Sequence, residues 1–302
     1  MSARSLLVVL LGVAGCSLSS TSARIEQSQA NARALGTVHD FEIARRAHAT
    51  SLVELEGLHE LDPDNQELLY ALVRAWVTET ELFTTDDLEA AIDREAASEQ
   101  LYQRRRVESG FTRASFWGRE WLSARAPDVN LDAARGELAK ALAGEFADEQ
   151  DAEPLLWLGH ALLGASSASE KLRSAAELVL ARSIALDERG RFASAHMLLG
   201  RKYASESPSD LERSRQHFAK AEALAGNKLL LTQFYHASLY HCRQGNLAEF
   251  KALLGEVLRT SDPEPTVRLE NAVAKRRAQR WTSSDPLTGS CAFASGPKQA
   301  GS

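Results

Sequence analysis

β-Branched aliphatic residues are scarce in this chain. Four Ile and 13 Val stand among its 302 residues, against 48 Ala and 43 Leu. Strands favour Val and Ile, whereas Ala and Leu lead the helix scale. That imbalance argues against a β-sandwich, a barrel or a parallel-sheet α/β enzyme. Gly (18) and Pro (8) are also few, so turn-rich folds are disfavoured. A surplus of positive charge is missing too. The 35 basic residues are outnumbered by 41 acidic ones, for a formal net charge of −6. Nothing in that balance draws the chain to nucleic acid. With 44% hydrophobic residues the chain is not a disordered one, and it is long enough to bury a sizeable core. The expected fold class is all-α.

Basic residues cluster in two places. Arg104, Arg105 and Arg106 read as a solvated helix face. Lys275, Arg276, Arg277 and Arg280 fall near the end of a predicted helix, where cations meet the macrodipole favourably.

Cysteine is rare, at three residues, and the first of them is special. Arg4 precedes an apolar run from Leu6 to Val13, then Ala14, Gly15 and Cys16. One cation, a short apolar core and small residues before a cut describe a secretory signal. The run is much shorter than the roughly 20 residues that span a bilayer. Val13-Ala14-Gly15-Cys16 resembles the bacterial lipobox, in which the Cys thiol is acylated and becomes the new N-terminus. The resemblance implies a signal peptide over 1–15 and a membrane anchor at Cys16. Several acyl chains would make that anchor stable. Ser17, where an Asp would signal inner-membrane retention, favours the outer membrane and its periplasmic face. Cys242 lies in a helical pattern and Cys291 in a polar tail; an exported protein could pair them or leave them apart.

Residues 16–35 are rich in Ser, Thr, Gln, Asn and Ala and read as a tether. Helical periodicity then fills a domain over 36–287, and 288–302 reads as a disordered tail. Leu52, Leu55, Leu58 and Leu61 mark one helix face, which Asp62-Pro63-Asp64-Asn65 ends. Asp64 or Asn65 can cap the next helix, and Glu67 would complete a capping box with Asp64. Leu68, Leu69, Leu72, Val73 and Trp76 form the next apolar stripe. Further helix ends fall at Asp187, Ala225 and Asp262, at spacings of about 37 residues. Such a period signals helical-hairpin repeats close to the tetratricopeptide type. Gly159, Gly200 and Ala237 occupy the small-residue position that lets paired helices approach. Residues 84–150 are less regular and are expected to hold three or four helices, with Trp117 and Trp121 one turn apart.

Motifs that carry chemistry are absent. There is no H-E-x-x-H pair, no phosphate-binding glycine loop and no G-x-S-x-G elbow. The eight His residues never pair at i, i+3 or i+4; His236 and His241, five apart, point to different faces of an α-helix. Neither an enzyme nor a metal or cofactor site is expected. Asp86 and Asp87 read as a helix start. In helical-hairpin solenoids the first helix of each repeat lines a concave surface. Trp157, Tyr203, Phe234, Tyr235 and Tyr240 fall on or near those helices and are the candidate ligand or partner surface. Taken singly, each is expected to pack between repeats; as a group, one or two are expected to face the concave side.

The stretch Leu58–Val77, with Leu61-Asp62-Pro63-Asp64-Asn65, resembles the opening repeat of the T-component lipoproteins of TRAP transporters. Leu155-Leu156-Trp157 and Leu186-Asp187 continue the likeness. It is closest from Gly226-Asn227-Lys228-Leu229-Leu230-Leu231 through Phe250, Leu253, Leu254, Val257 and Leu258 to Asn271-Ala272-Val273-Ala274. The resemblance covers roughly 36–83 and 151–287. It implies a lipid-anchored periplasmic protein of tetratricopeptide-like helices that forms trimers, with a pore or cleft through each subunit. Such a protein would assist the periplasmic substrate-binding protein of the transporter in uptake of a small organic or hydrophobic solute. No catalytic residue transfers. A tetratricopeptide lipoprotein of envelope assembly, of the pilotin or barrel-assembly-accessory kind, would need only the tether and a concave surface, and is the alternative.

Overall fold

The computed structural model describes residues 22–293, and among them there is no strand. The lipobox and Cys16 lie outside the described residues. Helix α1 spans 22–36, inside the stretch read as a tether. Its Ala and long polar residues are good helix formers, and Ile25 gives it a buried anchor. There follow α2 (Phe41–His59), α3 (Gln66–Thr78), a π-helical turn (Glu79–Thr84), α4 (Thr85–Asp93) and the long α5 (Ala97–Arg125). Next come α6 (Arg135–Glu145), α7 (Ala152–Gly164), α8 (Glu170–Leu186), α9 (Gly190–Ser205) and α10 (Leu211–Ala225). The chain continues with α11 (Leu230–Tyr235), a second π-turn (His236–His241), α12 (Cys242–Gln244), α13 (Leu247–Arg259), α14 (Arg268–Ser283) and α15 (Asp285–Thr288). The fold is all-α, as the composition implied.

Local chemistry sets the helix starts. Asn65, rather than Asp64, caps α3, its side chain accepting from the Leu68 amide at 3.1 Å. Glu67 makes no capping box; it accepts from Gln29 of α1 at 3.3 Å instead. Asp40, Ser169 and Asn246 cap α2, α8 and α13 in the same way as Asn65. The hairpins α7–α8 and α9–α10 pack closely. At Gly159 an added Cβ would lie 2.6 Å from Leu180 of α8. Gly159→Val is therefore expected to destabilise the fold by about 1–3 kcal/mol through overpacking. A shift of the urea midpoint at unchanged slope would measure this; no shift would mean the helices separate freely.

The repeat array does not stay open. Helix α14 packs against α2 and α4, and α15 against α4, so the last helices return to the first. Arg276 and Arg280 each reach Asp86 at 2.8 Å, and Arg277 pairs with Glu89 at 2.7 Å. Arg280 does stand in the last turn of α14, as expected, but the run also clasps α14 to α4, and Arg277 is 4% exposed. Closure encloses the inner face that an open solenoid would present to solvent. Arg104 and Arg105, by contrast, are exposed.

His48 joins α2 to α3, its Nε2–H donating to the Ala75 carbonyl at 3.0 Å. Burial pushes its imidazole down to about 4 from an ordinary value of 6.5. Burial likewise pushes His217 and His241 down to about 4. Each depressed base favours the folded state above pH 6.5, and that stability drains as pH falls toward 4. For His48 alone the loss at pH 5 is about 2 kcal/mol. Urea unfolding at pH 7.5 and pH 5 should show a shallower dependence in His48→Gln. An equal loss in both proteins would assign the effect elsewhere.

Candidate functional site

Helix α3 does not end at Thr78 but widens into the π-turn, where the Thr85 amide donates to the Thr80 carbonyl, five residues back. The apolar stripe of α3 thereby rotates by one residue, and Glu81 is carried into the interior, 4% exposed. A carboxylate cannot stay there unpaired. Arg201 of α9 donates to it at 3.1 Å, His160 of α7 at 3.3 Å, and Arg277 of α14 stands 3.9 Å away. The Tyr235 hydroxyl also donates to Glu81, while itself accepting from Arg277 at 2.7 Å. Because a carboxylate only accepts, His160 carries its proton on Nε2. Burial by itself would raise the Glu81 carboxyl. Arg201, then His160 and Arg277, outweigh burial and hold it well below the ordinary carboxylate range. Burial in turn pushes His160 below its ordinary value, against the pull of Glu81.

This cluster forms one wall of a narrow cavity of about 50 Å³. The remaining walls are largely apolar: Val77, Leu156, Trp157, Met197, Leu198 and Leu231. Opposite Glu81, Arg191 pairs with Glu270 of α14 and places its guanidinium 5.0 Å from the Trp157 ring centre. Arg191, Phe192 and Ala193 all have positive φ, of 42°, 58° and 54°. None is glycine, and a left-handed residue costs roughly 1–2 kcal/mol. This left-handed turn aims Arg191 at the cavity.

Two wider cavities flank the narrow one. One, of about 470 Å³, lies between α1, α2 and α3 and shares Thr78 with it. The other, of about 870 Å³, opens between α7, α9 and α14 and shares His160, Arg201 and Tyr235. The Glu81 cluster is therefore the partition between the narrow cavity and the largest one.

Of the sequence candidates, Trp157 and Tyr235 line the narrow cavity, and Tyr235 faces the largest one as well. Tyr203 is buried with its hydroxyl on Arg213, Phe234 packs on Trp281, and Tyr240 stacks near His236 and His241. None of the five is exposed. Trp157 and Tyr235 thus face an enclosed interior, whereas Tyr203, Phe234 and Tyr240 pack between helices. Glu81, His160, Arg191, Arg201 and Glu270 were not singled out in sequence. Nothing in their local sequence marked them: Glu81 follows Thr78, Glu79 and Thr80 in a stretch, 76–83, that is half polar. Among the described residues, no group of three or more His, Cys, Asp or Glu side chains could hold a metal ion. Among them too, no helix is long and apolar enough to cross a membrane.

A model of the TRAP transporter T-component matches residues 37–285, nearly all of the described fold. The chain belongs to that family. A T-component is part of a TRAP transport system, which associates it with the cell envelope, and the family is one of transporter components rather than enzymes. No curated protein matches this T-component. The match runs unbroken through 84–150, the segment where the sequence resemblance lapsed. That segment holds α4, α5 and α6, with Trp117 and Trp121 buried on α5.

Proposed function

We propose that this T-component, anchored through an acylated Cys16 on the periplasmic side of the outer membrane, assists the transporter's periplasmic substrate-binding protein in taking up a small organic or hydrophobic solute. It does so without catalysis. The observation that carries the reading is that the narrow cavity shares lining residues with two wider ones, His160, Arg201 and Tyr235 of the Glu81 cluster among them. Trp157 and the Leu and Met side chains offer apolar contact, and Arg191 and Arg201 offer charge to a polar end. Trimer formation, expected from the family resemblance, would set several such passages side by side.

Detergent extraction followed by affinity purification tests the partnership. The substrate-binding protein encoded nearby should co-purify with the full chain. Ser194→Phe, which fills the narrow cavity, should abolish solute uptake while the partner is still recovered. Recovery of no binding protein would sink the proposal. Unimpaired uptake by Ser194→Phe would sink the role of the passage.

A further inference from the structure

The second π-turn does to histidine what the first does to Glu81. On an α-helix, side chains five apart diverge, and His236 and His241 read that way in sequence. Here the Cys242 amide donates to the Ala237 carbonyl five residues back, so the turn is wide. Residues five apart then stand side by side. The two imidazole centroids are 4.6 Å apart, with planes inclined at 35°. Both residues are 8% exposed.

Their hydrogen bonding is uneven. Glu222 of α10 accepts from His236 Nδ1 at 2.7 Å. That contact occupies Nδ1 and leaves Nε2 as the ring nitrogen without a protein partner. His236 Nε2 and His241 Nδ1 are both buried and neither has a hydrogen-bond partner. A second pair, His196 and His217, instead joins Nδ1 to Nδ1 at 2.9 Å, and its one orphaned nitrogen, His196 Nε2, lies 3.4 Å from the Glu188 carboxylate. Buried polar atoms are normally satisfied, so an orphaned nitrogen on each of two neighbouring imidazoles calls for a ligand.

We propose that His236 and His241 form a binding site for a late first-row transition-metal ion, of the Zn(II), Cu(II) and Ni(II) class. Imidazole nitrogen is the donor these ions select. Two imidazoles on one tetrahedral ion, with bonds of about 2.0–2.1 Å, put their ring centres about 5 Å apart. The observed spacing agrees. The Glu222–His236 contact is the carboxylate–histidine pairing that orients metal-bound imidazoles and strengthens them as donors. Phe218 stacks on His236 at 4.9 Å and Tyr240 packs on His241 at 4.9 Å, so both rings are held in place. With only two protein ligands the ion retains water in its other positions and exchanges readily. The site is separate from the cavities and independent of the solute-uptake reading.

The test is calorimetric titration of the EDTA-stripped full chain with zinc, copper(II) or nickel chloride. One equivalent should bind. His236→Ala and His241→Ala should each weaken binding at least 100-fold, and Glu222→Gln about 10- to 100-fold. His217→Ala should leave binding unchanged. Copper(II) electron paramagnetic resonance of the unmodified chain, which depends on no variant folding, should show coupling to imidazole nitrogen. No binding, coupling without nitrogen, or full affinity in the two alanine variants would overturn the proposal.

Discussion

Glu81→Ala is expected to cost about 3–5 kcal/mol of folding free energy, the range for breaking a buried ion pair from one side. The cost arises from what is left behind. Arg201 and Arg277 would remain in the interior with one counter-charge fewer, and the Tyr235 hydroxyl would lose its acceptor. His160 would lose its partner as well. Against a typical total of 5–15 kcal/mol, this is a large share. Removing both sides should cost less: Glu81→Leu with Arg201→Met replaces charge by apolar volume and should recover part of the loss. Guanidinium unfolding at pH 7 measures both. A cost under about 1 kcal/mol for Glu81→Ala would mean that solvent reaches the cluster. The pH dependence has a definite sign. The folded carboxyl sits below its ordinary value of 4.5, so its contribution is complete above that pH and is lost on acidification.

Reduction of the Cys242–Cys291 disulfide is expected to lower stability by about 4 kcal/mol in the chain-entropy picture, which attributes the effect to the unfolded state. The bond closes a loop of sequence separation 49. It ties the segment after α15 to α12, and the Ala292 amide donates to the Cys242 carbonyl at 2.9 Å beside it. Gly245 makes room: its φ is +76°, and an added Cβ would lie 2.3 Å from the Ala292 carbonyl oxygen. Phe293 then packs on Phe250 at 5.1 Å. Cys291→Ser should therefore lower the guanidinium midpoint and speed amide exchange at Ala292. An unchanged midpoint, or exchange at Ala292 as slow as before, would show that the tail is held without the bond. The start of the tail read as disordered is thus pinned, while 294–302 lie outside the described residues.

Much of the fold was legible in sequence because it rests on short-range physics. The Leu stripes, the Asn65 cap, the small residues at 159 and 200 and the helix ends near 187 and 225 follow from local periodicity and capping. Far less of the site could be read. Glu81 and the His236–His241 pair both sit on π-turns, and a reading built on 3.6 residues per turn puts each of them on the wrong face. A π-turn survives only when tertiary contacts hold it, so its local sequence carries little sign of it. The clasp joining Asp86 and Glu89 to Arg276, Arg277 and Arg280 spans some 190 residues. No window along the chain can pair such residues.

The sequence by itself determined that this protein is helical and built of hairpins. Those properties depend on composition and on neighbours within a few turns. Only the tertiary structure decided that the array closes on itself. Closure left Trp157 and Tyr235 facing interior cavities and brought Arg277 to Glu81. The physical reason is that buried charges must find partners wherever in the chain those partners lie, and here they lie at its opposite ends.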